Sequence, residues 1–255
     1  MCSWLAVWLI PLTTGGSGDL WLEPLKFRFN VGEQLVASIM TGDGLAGEFW
    51  DASVNAAGEL LHYSGRGISD QTKLVRHTRG KNIQIKLESE GGHLLVMNAP
   101  EALTRWSRID YNSYAEDQEL TGKNANLIGD SVTEKSITVC KLLVQAGNKA
   151  DEVYSQRTGS KLEIVPLQNP NKLVTGDRLS CLLLLDGKPF PHTLVRVWNR
   201  VNRTSFQQNL YTENDGTITF PISIKGAWMV SAMAVDRSIR DGDVHTVKST
   251  FVFGI

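Results

Sequence analysis

Neither sign of charge dominates this sequence: 26 Lys and Arg stand against 27 Asp and Glu, a formal net charge of -1. The broad positive field that nucleic-acid binding or docking on an anionic membrane requires is therefore missing. Charged residues make up 21% and hydrophobic residues 42%, ordinary values that exclude wholesale disorder and a many-span membrane protein. Cysteine is scarce, three in all, and no CxxC pair or Cys/His cluster points to a zinc site. Motifs for nucleophiles and cofactors are absent as well: there is no G-x-S-x-G, P-loop, H-E-x-x-H or dinucleotide fingerprint. A non-enzymatic chain is the expectation, because sandwich folds host binding and scaffold roles more often than catalysis.

The first eighteen residues lack any charged side chain. An apolar run from Trp4 to Leu12 gives way to Thr-Thr-Gly-Gly-Ser-Gly, and the first charge is Asp19. Residues 1–18 read as a secretion signal. The run is shorter than the roughly 20 residues that a bilayer-spanning helix needs, and Gly16 and Gly18 suit the small-residue positions of a peptidase site. Its leading segment has no Lys or Arg, and Cys2 precedes the apolar run, so a lipid-anchored cysteine at the cleavage point is not indicated. The expected location is periplasmic or secreted, with no transmembrane segment after cleavage. Export permits a disulfide, yet Cys140 and Cys181 lie in separate apolar runs, and two buried thiols are expected.

Short alternating runs dominate the remainder. Phe27, Phe29 and Val31 share strand spacing, and Gln34–Thr41, Glu59–Tyr63, Asn82–Glu88 and His93–Asn98 are further runs separated by glycine-bearing turns. The segment Asp110–Leu120, with few β-branched residues and Asp110 as a capping candidate, reads as one short helix. The polar stretch 148–160 reads as a linker. Beyond it, runs at Leu162–Val165, Arg178–Leu185, Thr193–Arg200, Ser205–Thr212, Thr217–Ile224, Trp228–Val235 and Thr246–Phe253 suit an immunoglobulin-like sandwich. Ile218, Phe220, Ile222 and Ile224 alternate onto one face. The expected fold is all-β: a sandwich-like domain over 19–147 with one short helix, and an immunoglobulin-like, prealbumin-like sandwich over 161–255.

Chemistry-bearing residues are dispersed. The histidines, His62, His77, His93, His192 and His245, show no ligand spacing, and each reads more readily as a surface or hydrogen-bonded residue. Lys73, Arg76, His77, Arg79, Lys81 and Lys86 form a basic stretch that reads as a solvated hairpin with charged edges. Asn202-Arg203-Thr204 matches a glycosylation acceptor, relevant only in a eukaryotic secretory pathway. Glu88 and Glu90 share a strand face, the commonplace surface pairing of acids rather than a hydrolase pair. Among the tryptophans, Trp228 reads as core, while Trp21 and Trp198 are candidates for stacking a ligand such as a sugar. Trp198 shares its face with Arg196 and Arg200, opposite Val195 and Val197.

A particular order of segments runs through the chain: Asp19-Leu-Trp-Leu-Glu-Pro24, Phe27-Arg-Phe-Asn-Val-Gly-Glu33, Thr41-Gly-Asp-Gly-Leu-Ala-Gly-Glu48, Tyr111-Asn-Ser-Tyr114, Cys140-Lys-Leu-Leu-Val-Gln-Ala-Gly147, Leu162-Glu-Ile-Val-Pro-Leu-Gln-Asn-Pro170 and Asp186-Gly-Lys-Pro189. In this order the sequence resembles the bacterial exported family called domain of unknown function 4198. That family is often described as a periplasmic component of nickel or cobalt uptake. The second half, through Gly187–Val197 and the Asn-Asp-Gly turn before Thr217, is similar to the prealbumin-like carboxypeptidase regulatory domains.

The resemblance implies a protein that captures a divalent transition metal, nickel or cobalt, outside the inner membrane and hands it to a membrane transporter. This chain departs from the family pattern. Gly18-Asp19 stands where relatives typically carry His-Asp, and the loop Gly42-Asp43-Gly44 and the surroundings of Ala234 lack imidazoles that many relatives have. A weakened metal site follows, in which Asp19, Asp43, Asp243 and His245 form an oxygen-rich set suited to harder cations. The alternative is a cell-envelope interaction or glycan-binding module working through an exposed Trp198 face. The two readings divide on geometry: metal binding needs Asp19, Asp43 and His245 to converge, whereas the interaction reading needs dispersed acids and a contiguous aromatic or apolar patch.

Overall fold

The computed structural model describes residues 18–50, 58–78, 82–120, 129–202, 204–236 and 243–255, and only the backbone of 76–78. Of the expected signal only Gly18 falls within them; Cys2, Arg79, Lys81 and Arg203 lie outside. The strands of the first half are β1 (Asp19–Pro24), β2 (Arg28–Phe29), β3 (Gln34–Asp43), β4 (Ala46–Phe49), β5 (Glu59–Ser64), β6 (Gly67–Asp70), β7 (Ile83–Lys86), β8 (Gly91–Asn98), β9 (Ala102–Ser107) and β10 (Ser131–Ala146). Those of the second are β11 (Leu162–Pro166), β12 (Arg178–Leu185), β13 (Lys188–Pro189), β14 (Leu194–Val201), β15 (Thr204–Tyr211), β16 (Thr217–Pro221), β17 (Ala227–Val235) and β18 (Val244–Gly254). Helices α1 (Thr72–Thr78) and α2 (Arg108–Asp117) are short. Among the described residues no helix is long and apolar enough to cross a membrane.

The fold is all-β and sandwich-like, and its layers explain the alternation of the sequence. A ten-stranded sheet, running β15-β14-β17-β18-β10-β8-β5-β6 with β2 and β9 also on β10, lies between two four-stranded sheets. One of its faces packs Leu95, Cys140, Leu142, Val144, Met229 and Val252 against Leu20, Trp21, Leu22, Leu35 and Ile39 of β1 and β3. The opposite face packs Val139, Leu143, Val197, Trp228, Val230, Phe251 and Phe253 against Leu162, Ile164, Leu179, Cys181, Ile218 and Phe220 of β11, β12 and β16. The two sandwiches thus share their middle layer. Residues of β10 and β18 alternate between two cores rather than between core and water, which gives nearly continuous apolar runs.

Within the middle layer β10 pairs with β18 in parallel, from Glu134 opposite Val244 to Leu142 opposite Val252. Parallel neighbours need a crossover, and here everything between the two strands serves as one. The polar stretch 148–160, read as a linker, is strapped to the sheet: Glu90 Oε1 accepts from the amides of Asn148 and Lys149, Asp151 Oδ2 accepts from the Gly92 amide, and Val153 and Tyr154 pack on the core. Between β10 and β11 sits a buried ion pair. Lys141 Nζ donates to Glu163 Oε1 at 2.6 Å, and the two side chains are 1% and 2% exposed. Lys141 Nζ also donates to the Ile164 carbonyl, while Glu163 Oε1 accepts from both the amide and the hydroxyl of Thr158. Burial alone pushes the Glu163 carboxyl up, but the Lys141 ammonium and the Thr158 donors outweigh it and hold the group below its ordinary value.

Several expectations change in detail. The helix expected at Asp110–Leu120 begins earlier, at Arg108, because Ser107 is the cap: its hydroxyl accepts from the Asp110 amide and donates to Asp110 Oδ2. A second helix, α1, occupies part of the basic stretch that read as a hairpin. The Phe27–Val31 alternation breaks after Phe29, since the chain turns at Gly32, φ 88°, and Val31 is left exposed. Ile218, Phe220 and Ile222 are buried as expected, but β16 ends at Pro221 and Ile224 lies outside the core. Cys140 and Cys181 are free, buried thiols.

Two of the dispersed histidines meet. His62 of β5 and His93 of β8 stack with ring centroids 5.0 Å apart, and His62 Nε2 lies 2.8 Å from His93 Nδ1. His93 Nε2 faces the Ser89 carbonyl at 2.9 Å, so it carries the proton there and Nδ1 accepts from His62. Burial, followed by the neighbouring His93, holds His62 down to about 4, and burial also lowers His93 against the opposing Ser89 carbonyl and Asp151.

Two outcomes follow. Lys141→Ala should cost about 3–5 kcal/mol in urea unfolding, because it strands a buried carboxylate, whereas Lys141→Met with Glu163→Leu should lie close to wild type; a single variant costing under about 1 kcal/mol contradicts this. For the histidines, the unfolded chain binds the proton first, so stability is complete above pH 6.5 and declines as pH falls towards 4. The decline due to His62 should amount to about 3 kcal/mol at most, and the pH dependence of Tm should flatten in His62→Gln.

Candidate functional site

A cavity of about 440 Å³ opens where the middle sheet runs past the tip of the β3–β4 hairpin and meets the end of α2. Its walls include Asp19 and Asp43 from the hairpin layer, Arg196 and Trp198 of β14, Gln207 and Asn209 of β15, Ser231 of β17, Lys248 of β18, and Tyr114, Gln118 and Glu119 from α2 and the residues after it. Register brings the acids together. Asp19 opens β1 opposite Gly42, and Asp43 closes β3 opposite Ala46. The intervening pair Gly44-Leu45 has positive φ at both residues, 59° and 64°, as a tight hairpin with the right twist demands.

The hairpin tip is docked on β14. Gly44 lies flat against the Trp198 ring, so closely that a Cβ there would come within 2.2 Å of Cε3. Arg200 Nη1 donates to the Leu45 carbonyl at 2.6 Å, and the same guanidinium makes a two-pronged pair with Glu23, which also accepts from Trp21 Nε1. On the other side, Arg196 clasps the end of α2, donating to the Asp117 carbonyl and carboxylate and to Gln118 Oε1. A cation at a helix C-terminus is favourably placed. Tyr114 anchors that helix by stacking on Trp106 and donating its hydroxyl to Met233 Sδ, and Lys248 Nζ lies 5.5 Å above the Tyr114 ring.

With Arg196 paired to Asp117, the remaining charges of the lining are Asp19, Asp43, Lys248 and Glu119, whose carboxylate accepts from the Tyr211 hydroxyl. Burial pushes the Asp19 carboxyl above its ordinary value; Lys248, the Ser231 hydroxyl and Arg196 oppose this, and Asp43 adds to it. Beside the Arg196 clasp, the cavity therefore offers the carboxylates of Asp19, Asp43 and Glu119, the Lys248 ammonium, the Gln207 and Asn209 amides and the Ser231 hydroxyl, which can both donate to and accept from a polar guest.

The sequence candidates divide. Asp19, Asp43 and Trp198 share this cavity, but the Trp198 ring is half-buried, covered by Gly44 on one side and packed against the core, and is not the exposed aromatic face expected. Asp243 and His245 do not: Asp243 pairs with Lys135 at 2.7 Å, and His245 is buried in β18 in register with Lys135. Trp21 is fully buried among the residues of β3 and the middle sheet, so its ring offers no surface for stacking. Among the described residues no three His, Cys, Asp or Glu side chains gather as a group that could hold a metal ion. The two acids in the cavity, with Lys248 and Arg196 beside them, do not make the nitrogen-rich set that nickel or cobalt prefers. Arg196, Gln207, Asn209, Ser231 and Lys248 had no signal in the sequence beyond the shared face of Arg196 and Trp198, because they lie on four strands that only the fold assembles.

The family described as "Domain of unknown function (DUF4198)" matches residues 18–236, and the chain belongs to it. No curated protein matches the chain. Solved structures similar to it include the fibronectin(III)-like modules of Clostridium thermocellum CbhA, at 12% identity and a TM-score of 0.21, over 92% of this chain and 94% of that one. A tetra-tandem repeat from the extending region of a large adhesion protein aligns at 12% identity and 0.23, over 93% and 49%. Escherichia coli alpha-2-macroglobulin activated by porcine elastase aligns at 11% and 0.22, over 93% and 22%. Similarity at that level carries no argument about function.

A carboxylate held above its ordinary value costs stability once ionised. The folded state keeps the Asp19 proton to higher pH than the unfolded chain does, so this group's contribution falls as pH rises through that window. Asp19→Asn should therefore raise Tm at neutral pH, and the gain should shrink as pH is lowered towards the ordinary carboxylate range. An unchanged or lower Tm across that range contradicts the argument.

Proposed function

We propose that this chain is an exported, non-enzymatic binding protein whose ligand seats in the cavity between the β3–β4 tip, the end of α2 and strands β14, β15, β17 and β18. The observation that carries this reading is the combination of size and lining. A space of about 440 Å³ falls within the roughly 300–1,000 Å³ typical of small-molecule sites and is far larger than a bare ion needs. Its carboxylates, amides, hydroxyl and ammonium, set beside the Trp198 indole, suit a polyhydroxylated guest such as a saccharide unit. That favours the glycan-binding, envelope-facing reading.

A second reading, an accessory of nickel or cobalt uptake with a weakened site, has one specific support: Asp19 and Asp43 do reach the same cavity, and their summed charge exceeds that of Lys248. Family membership is compatible with either, and handing a ligand to a membrane transporter or an envelope protein remains part of both.

Calorimetric titration separates them, using protein that starts at Asp19 with no N-terminal tag. Neutral mono- and oligosaccharides form one panel, and nickel, cobalt, copper, zinc and calcium the other. Saturable saccharide binding, weakened about tenfold or more by Asn209→Ala through a lost hydrogen bond, is the expected result. Saturable metal binding abolished by Asp43→Asn selects the uptake reading instead, and silence in both panels overturns the cavity as the binding site.

A further inference from the structure

We propose that the outer edge of β15 is a pairing surface for a second copy of this chain. β15 ends the ten-stranded sheet, and among the described residues nothing pairs with its outer side. An edge strand presents a row of unpaired amides and carbonyls, and proteins blunt such rows with charge, proline, shortness or a cover. The other edges here are guarded in this way. β6 is short and ends in Asp70, β4 carries Glu48, β7 carries Lys86, β9 carries Arg105, β1 carries Asp19 and Glu23, and β11, β13 and β16 each end in proline. β15 has none of these: its eight residues, Thr-Ser-Phe-Gln-Gln-Asn-Leu-Tyr, include no Asp, Glu, Lys, Arg or Pro. It also leaves Phe206 59% and Tyr211 53% exposed.

The sequence of the strand fits itself. A twofold axis perpendicular to the sheet brings two β15 strands together antiparallel. Centred on Gln208, it sets Phe206 against the partner's Leu210 and Gln207 against the partner's Asn209, each in both directions. On one face Phe206 and Leu210 then meet across the seam with the two Gln208 amides paired between them at the axis, on the other Gln207 and Asn209 pair amide to amide, and no like charges are opposed. A formal net charge of -1 on each copy leaves little long-range repulsion to prevent the encounter. Because Gln207 and Asn209 also line the cavity, the two cavities come to lie on one face of a continuous sheet, on either side of the seam.

Sedimentation equilibrium of the purified chain over a concentration series is the test. A monomer–dimer equilibrium is expected, with Gln208→Lys, which opposes two ammonium groups at the axis, raising the dissociation constant about tenfold or more. The circular dichroism of that variant, and its Tm at concentrations where the wild-type chain is monomeric, should stay at wild-type values. Gln208→Cys under mild oxidation should give a disulfide-linked dimer, while Leu25→Cys, a position 81% exposed elsewhere, should not; this second readout stands whether or not the lysine variant folds. A monomer at every concentration overturns the proposal. So does a dimer that Gln208→Lys leaves intact, or one that Gln208→Cys does not cross-link.

Discussion

A strand covered on both faces must satisfy two cores at once, and β10 carries that demand for the whole molecule. Its sixteen residues pair with β9 and then β8 along one edge, and with β18 and then β2 along the other. Cys140, Leu142, Val144 and Ala146 face one core, and Val139 and Leu143 the other. A polar side chain here has no route to water, so the single charged residue in that run, Lys141, persists only with Glu163 and the Ile164 carbonyl as partners. The pair joins the middle sheet to the first strand of the outer layer, while the segment between them, through Thr158, supplies further donors to the same carboxylate. Position in the fold and chemical satisfaction are here one constraint.

The cavity follows from where that layering stops. The β1–β3 sheet covers the middle sheet only as far as the hairpin tip, and α2 covers the next portion through Tyr111 and Tyr114, packed against Trp106 of β9. Between the two covers, the face of β14, β17 and β18 that points towards β1 elsewhere is left with polar residues: Arg196, Ser231 and Lys248. Arg196 and Arg200, four residues apart on β14 with Trp198 between them on the same face, fix the two covers separately, Arg200 through Glu23 and Leu45 and Arg196 through Asp117 and Gln118. The gap is therefore held open by guanidinium groups that are themselves occupied, which is the preorganisation a binding site needs.

Much of this was legible along the chain and the rest was not, for definable reasons. Strand positions came through because alternation and glycine-bearing turns are local signals; the Arg178–Leu185 run coincides with β12. Trp21 was misjudged because alternation says which residues share a face, not whether a second sheet covers it. The His62–His93 contact depends on register: His62 stands opposite Leu95, and His93 is its diagonal neighbour two residues away. Neither histidine announces that in sequence. Within the cavity, Asp19, Asp43 and Trp198 were recognisable as chemistry-bearing residues, but their company on β15, β17 and β18 was a matter of topology.

The same topology bears on what the cavity can hold. Asp19 keeps a carboxylate where burial disfavours its charge, and the groups that offset this, Lys248, Ser231 and Arg196, belong to three different strands of the middle sheet. A site meant for a divalent cation gains by clearing positive charge from around its acids. This one sets an ammonium and a guanidinium beside them, so any cation entering must overcome Lys248 as well as shed its own water. A neutral polyol faces no such opposition, because each hydroxyl can donate to a carboxylate and accept from an amide or ammonium. On the proposed binding reading, the mixed lining favours hydrogen-bonding capacity over net charge, and the uncharged residues of β15 extend that character to one wall.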